Sequence, residues 1–160
     1  MKHSPECLSG LLRHEDGRLY WRVGKNAGKE AGAARKDGRW VVKVGGRGGP
    51  VYLRYRVVWA IEQGCWPVGE IDHIDCDASN DNLSNLRFAT SSQNKANVRA
   101  RRTNQTGLKG VMPYRHDRFT AQICIAGRSV HLGVFESAQQ AHEAYATAAL
   151  KEYGEFARHA

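Results

Sequence analysis

The chain has 160 residues, 25% of them charged, and a formal net charge of +8 at pH 7, which suits one ordinary domain or two small ones. The excess of Lys and Arg points to a polyanionic partner, because neutralising phosphates releases condensed counterions; a merely basic soluble protein has the same composition. No apolar run approaches the roughly 18 residues of a membrane span, so no membrane is expected.

The start, "MKHSPECLSGLLRHEDG", lacks the continuous apolar segment of a secretory signal, and none is expected. "RLYWRV" (18–23) and "RWVVKV" (39–44) are rich in aromatic and β-branched residues, which predicts strands. Between them, "GKNAGKEAGAARKDG" is small, polar and Gly-rich and predicts a long solvated hairpin loop. "GGRGGP" turns the chain into "VYLRY", and Val57, Val58, Ala60 and Ile61 then predict a short helix that Gly64 ends. "EIDHI" follows as a brief strand.

Lys95, Arg99, Arg101 and Arg102 form a run without acids, and "TNQTG" breaks any helix there, which predicts a boundary near residues 101–106. Beyond it, "GLKGVMPY", "RFTAQICI" and "SVHLGVF" read as strands with tight turns at "RHD" and "AGR". "ESAQQAHEAYATAALKEYGEFA" reads as an Ala-rich helix with Ser137 as N-cap and Gly154 just past its end. Its stripe of Ala141, Ala144, Tyr145, Ala148 and Ala149 would pack on the sheet and leave the other sheet face for a partner.

Cys7, Cys65, Cys76 and Cys124 are scattered without a C-x-x-C pair. That spacing supports neither disulfides nor a four-ligand zinc site, and free thiols in a reducing cytoplasm are expected. A zinc-stapled nucleic-acid binder using Cys65, His73 and Cys76 stays open as an alternative.

The stretch "EIDHIDCDASNDNLSNLRFATSSQNKAN" (70–97) packs acids, amides and one His together. Asp75, Asp77, Ser79 and Asp81 alternate as calcium ligands would. An EF-hand loop starting at Asp75 needs Gly sixth and Glu twelfth, but Asn80 and Leu86 stand there, so that reading fails. A solvated loop accounts for the acids and Asn between 75 and 82. It does not account for an Asp-His pair ending a strand, or for "NLR" and "SSQNKAN" at close range.

"VYLRYRVVWA" followed by "WPVGEIDHIDCDASNDNLSNLRFATSSQNKANVR" resembles the HNH nucleases with their ββα-metal motif, especially the homing-endonuclease branch, over roughly residues 18 to 99. The resemblance implies that Asp72 and His73 are the first-strand pair, Asn85 the middle Asn and Asn94 the helical metal ligand. The chemistry suits these residue types in its own right. Phosphodiester hydrolysis needs a base for water, and a neutral His serves near neutral pH. One carboxylate and one amide oxygen anchor a hard ion such as Mg²⁺, or Mn²⁺, while leaving positions for phosphate and water. Asn85 is expected to fix the loop and the orientation of His73. Three departures stand out. Cys76 occupies a position where relatives often carry Gly, which suggests a strained or reshaped turn. Tyr55–Arg56 replaces a common His-Arg pair and is expected to lie outside the catalytic core. Asn97, one turn beyond Asn94, could replace or assist it.

The segment 107–160 resembles the plant ethylene-response-factor (APETALA-type) DNA-binding domain, through "GV", "LGVF", "A…AY…AA" and "GEFAR". That family lays a three-stranded sheet in the major groove. By position, the resemblance implies an outward set of Lys109, Met112, Tyr114, Arg118, Gln122, Cys124 and His131, with Arg115 and Arg128 adding phosphate contacts. Plant members carry several Arg and Trp at these positions where this chain does not, so its base preference does not transfer.

The expectation is therefore an α+β chain. A ββα-metal nuclease domain with preceding β segments occupies 1–100, a basic linker 101–106, and a three-stranded antiparallel sheet packed on one helix 107–160. The expected function is metal-dependent endonucleolytic hydrolysis of double-stranded DNA, of phage or mobile-element type, in a bacterial host cytoplasm if phage-encoded. No small-molecule cofactor is expected, and monomer and dimer stay open. The alternative from another class is a non-catalytic DNA-binding regulator that retains the nuclease fold.

Overall fold

The computed structural model describes residues 3–100 and 103–158. Arg101 and Arg102, at the start of the expected basic linker, lie outside the described residues. The architecture is mixed α+β, with several small sheets and four α-helices among the described residues. No helix among them is long and apolar enough to cross a membrane. The chain divides into two compact units, Met1–Phe88 and Ala89–Ala160, a division that falls ahead of the expected boundary at 101–106.

The first unit opens with helix α1 (Pro5–Leu11), which the sequence reading did not anticipate. Ser4 caps it by accepting from the Cys7 N–H, and Pro5 sits where its missing N–H costs nothing. Strands β1 (Leu12–Glu15) and β2 (Arg18–Trp21) pair antiparallel around Asp16–Gly17, both at positive φ as a tight hairpin requires. Leu8, Leu12 and Leu19 are fully buried and form the centre of the core with Val42, Val44, Val57 and Val58. Each such side chain contributes about 2 kcal/mol by leaving water.

Strands β3 (Ala33–Ala34), β4 (Trp40–Lys43) and β5 (Val51–Leu53) form an antiparallel sheet in the order β3-β4-β5. The segment 24–38 is therefore not a solvated loop throughout. Glu30 bridges to Tyr20, Ala31 is fully buried and donates its N–H to Leu19 O, and β3 pairs with β4. The small residues that read as solvation are what let this backbone lie close to β4. A Cβ at Gly32 would sit 2.6 Å from Val41 O.

Helix α2 (Arg54–Gln63) begins three residues before the expected Val57 and ends at Gly64. Arg54 shares the buried stripe of Val57 and Val58, and a charged residue hides such a stripe from an apolar count. Strand β6 (Glu70–His73) pairs with β7 (Leu86–Ala89). Arg56 fastens the approach to β6 by donating to Pro67 O and Gly69 O.

The second unit opens with helix α3 (Ser91–Asn97), whose capping box joins Thr90 and Gln93. Strands β8 (Val111–Pro113), β9 (Phe119–Ile125) and β10 (Arg128–Phe135) form an antiparallel sheet in the order β10-β9-β8, with a bulge between His131 and Gly133. Helix α4 (Ala138–Tyr153) is capped by Ser137, ends at Gly154, and covers one sheet face. Ala141, Tyr145 and Ala149 of α4 are buried against Val111, Ala121 and Ile123. Burial, and then the neighbouring Tyr153, push the Tyr145 hydroxyl up to about 12.

Candidate active site

Three successive residues of β6, Ile71, Asp72 and His73, are buried, which breaks the alternation of a half-buried strand. Burying a carboxylate and an imidazole requires partners. Asp72 Oδ2 accepts from Arg87 Nε of β7 at 3.0 Å. His73 Nε2 lies 2.8 Å from Asp81 Oδ1, and the other oxygen of Asp81 accepts from Arg54 Nε at 2.7 Å. Arg54 also donates to Ser79 O at 2.8 Å and to Glu30 at 3.3 Å, and its guanidinium stacks on the Trp40 ring. The Tyr55 ring stands edge-on to His73, with centroids 5.2 Å apart. Tyr55 was expected to lie outside the catalytic core and instead packs on the proposed base. It stands in the first turn of α2, which starts at Arg54.

Asp81 and Arg54 are the residues that sequence reasoning missed. Asp81 was grouped with the acids of a solvated loop, yet its side chain is fully buried. A signal was present: Asp81 is followed by "NLSNLR" and preceded by a turn, so it sits where the loop re-enters the fold. The hairpin turn of β1–β2 supports that point. A Cβ at Gly17, which has φ +77, would sit 2.6 Å from Asn82 N.

The rest of the loop builds itself. Asp75 Oδ1 accepts from Asp77 N, Asp77 Oδ1 from Ser79 N and the Ser79 hydroxyl, and Asn82 Oδ1 from Ser84 N. The alternate spacing that imitates calcium ligands is a series of side chains each capping the amide two residues on. Asn85 closes the loop. Its Nδ2 donates to Asp75 Oδ1 and Asn80 O, and its Oδ1 accepts from Asp75 N. Asn85 thus bridges Asp75 and Asn80 across the loop, while the carboxylate that meets the His73 ring is Asp81. Burial pushes the Asp75 carboxyl up, but hydrogen bonds from Asp77 N–H, Asn80 and Asn85 outweigh it and hold it below the usual carboxylate range. Bonds from the Ser79 hydroxyl and N–H do the same for Asp77. Cys76, at φ +60, adopts the left-handed conformation that Gly takes without strain.

Asn94 lies mid-helix in α3 and is half-buried, whereas Asn97 is buried. Both belong to the second unit, and Asp72, His73 and Asn85 to the first. A carboxylate and an amide carbonyl are each hard oxygen donors of the kind that Mg²⁺ takes. No group of three or more His, Cys, Asp or Glu able to hold a metal occurs among the described residues, so Cys65, His73 and Cys76 make no such cluster.

In the second unit, Ala121 and Ile123 of β9 face α4, so Gln122 and Cys124 face away. Across that outer face Gln122 donates to Met112 Sδ, Ser129 donates to Gln122 Oε1, and Thr120 meets His131 Nδ1 at 3.1 Å. Tyr114, Arg115 and Arg118 are exposed around the β8–β9 turn, and Arg128 is exposed at the start of β10. Lys109 is half-buried, and its ammonium donates to Ala96 O at the end of α3. Lys95, Arg99 and Lys109 line one groove with Asn104, Met112 and Gln122.

Residues 52–96 match the HNH endonuclease family. Protein 3.8 of Escherichia phage T7 is 42% identical to the chain over 59 residues, which is 36% of this chain and 49% of the phage protein. The chain thus spans about half the length of the curated relative it matches. No solved structure matches it. The segment 52–96 is an HNH endonuclease domain, and it contains α2, the Asp72–His73 pair, Asp81, Asn85 and Asn94.

Proposed function

We propose that this protein is a metal-dependent DNA endonuclease of phage or mobile-element type, with His73 as general base. The observation that carries the reading is the Asp72–His73 pair buried at the end of β6, with the His73 ring held by Asp81, inside the segment that matches HNH endonucleases. Asp72 and Asn94 would hold a divalent cation, Mg²⁺ or Mn²⁺. When bound, the ion stabilises charge on the phosphate and leaving oxygens.

The chain's own residues do the rest. His73 takes a proton from water as the water oxygen bonds to phosphorus, and the bond to the leaving oxygen breaks with its electron pair on that oxygen. The leaving oxygen is then protonated by solvent. Asn85 and the Asx-turn loop keep the base in place. Double-stranded DNA is the substrate, and +8 of net charge supplies the attraction.

Residues 1–100 form the cutting domain in this proposal. Residues 107–160, an APETALA-type sheet, would read DNA through Met112, Tyr114, Gln122, Cys124 and His131. Arg115, Arg118 and Arg128 would reach phosphates. Lys109 contributes from the groove that also holds Lys95 and Arg99.

A regulator that keeps the fold without cutting draws support from one observation, the Arg87 guanidinium on Asp72. Incubation with supercoiled DNA, with Mg²⁺ and with chelator, decides between them. Nicked or linear product only with Mg²⁺ supports the enzyme, and untouched DNA bound by the protein supports the regulator.

A further inference from the structure

We infer that Asp81, backed by Arg54, sets the tautomer of His73 and makes Nδ1 the nitrogen that takes up the proton. The catalytic consequence rests on the nuclease reading above, whereas the state of the ring does not.

The Asp81 side chain is shut off from water between two donors, Arg54 Nε at 2.7 Å and His73 Nε2 at 2.8 Å. A guanidinium keeps its protons in proteins, and a carboxylate paired with it only accepts hydrogen bonds. Nε2 must therefore carry hydrogen. In a neutral imidazole the lone pair then belongs to Nδ1. Asp81 has little freedom to turn away. Its N–H donates to Ser79 O, Arg54 holds that same carbonyl, and the Gly17 turn lies against the backbone at 81–82. The Tyr55 ring stands edge-on to the imidazole and limits its rotation. Asp81 acts through His73 and is a positioning residue.

Asp81→Asn tests this with almost no change of shape. The Arg54 guanidinium requires the amide oxygen, because it can only donate. The NH₂ group then faces Nε2 as a donor, and the ring must carry its hydrogen on Nδ1. The measurement is a long-range ¹H–¹⁵N spectrum of the full chain with labelled histidine, above the pH range where imidazole is protonated, with the His73 signals assigned by their loss in His73→Gln. The expected result is Nε2–H in the wild type and Nδ1–H in Asp81→Asn. Single-turnover cleavage of saturated DNA with Mg²⁺ should fall about 10²- to 10⁴-fold in that variant, with DNA affinity unchanged. Nδ1–H in the wild type overturns the inference, as does a flipped ring that cuts at the wild-type rate. Should Asp81→Asn fail to fold, the wild-type spectrum still decides the tautomer. Arg54→Lys, which keeps a positive charge behind Asp81, should retain Nε2–H. A wild-type ring with Nε2–H in a protein that cuts no DNA supports the ring assignment and sinks the nuclease reading alone.

Discussion

Arg54 and Asp81 form an ion pair closed to water: Nε lies 2.7 Å from Oδ2, and the side chains are 3% and 0% exposed. Glu30 meets the same guanidinium at 3.3 Å but is 33% exposed. Breaking the inner pair strands a buried charge, whereas breaking the outer one exposes a group that water already reaches. Arg54→Met should therefore cost about 3–5 kcal/mol, and Glu30→Gln less than about 1 kcal/mol. Urea unfolding of the two variants measures both. Equal losses would show that Asp81 does not depend on Arg54.

His73→Ala should abolish cutting and leave DNA binding nearly unchanged, because the ring is the base in the proposed reaction. Loss of a positioned base costs about 10²- to 10⁴-fold in rate. Single-turnover cleavage and a binding titration separate the two effects. A variant that cuts within about threefold of wild type removes His73 from its role.

Asp72→Asn and Asn94→Ala should each raise the Mg²⁺ concentration that half-saturates cleavage, with Asp72→Asn the more severe. A carboxylate brings charge to a hard cation, and an amide brings only a dipole. Magnesium titrations of the two variants check this ordering. Unchanged dependence in both would move the metal site elsewhere.

The Asp75 carboxyl, held low by the loop's hydrogen bonds, carries a pH signature. A folded value below the unfolded one means that its stabilisation is complete above the ordinary carboxylate range, about pH 4. It is lost as pH falls through the lowered folded value. The stability gap between wild type and Asp75→Asn should therefore be widest near neutral pH and should narrow as pH drops below about 4. Thermal unfolding across that range reads it. A gap that ignores pH would mean that the ionised carboxylate is not what the loop requires.

Replacing Arg115, Arg118 and Arg128 together with Ala should weaken DNA binding and flatten its salt dependence. Each lost phosphate contact lowers the slope of log affinity against log salt by roughly 0.9. Cleavage of a fully bound complex should proceed at its normal rate. An unchanged slope would point these arginines at a protein rather than at DNA.

What the sequence makes legible follows from the kind of force that built each element. Strands β2, β4, β9 and β10 and helix α4 announce themselves through periodic apolar residues and caps such as Ser137. Asp72, His73, Asn85 and Asn94 stand out in the sequence because an ordered motif carries them, and all four lie in the segment that matches the HNH endonuclease family. Arg54 and Asp81 were not, since each looks like a surface charge until the partner 27 residues away closes on it. The segment 24–38 misled for a similar reason, as Ala31 is buried by pairing across the sheet and not by its own composition. α1, with seven residues, is too short for an apolar stripe to repeat and so leaves no helical period in the sequence.

The bond from the Lys109 ammonium to Ala96 O has a bearing on how such chains can be shuffled. A cation on the last carbonyls of a helix satisfies groups that the helix cannot satisfy itself. Helix α3 thus draws its C-terminal support from the residue that leads into β8. A recombination joint placed between 97 and 109 would hand the helix a foreign neighbour without that amine. A joint placed before residue 89 would carry helix, amine and sheet together as one inheritable piece. Chimaeras of this chain should therefore tolerate exchange at the earlier joint and lose helical order at the later one.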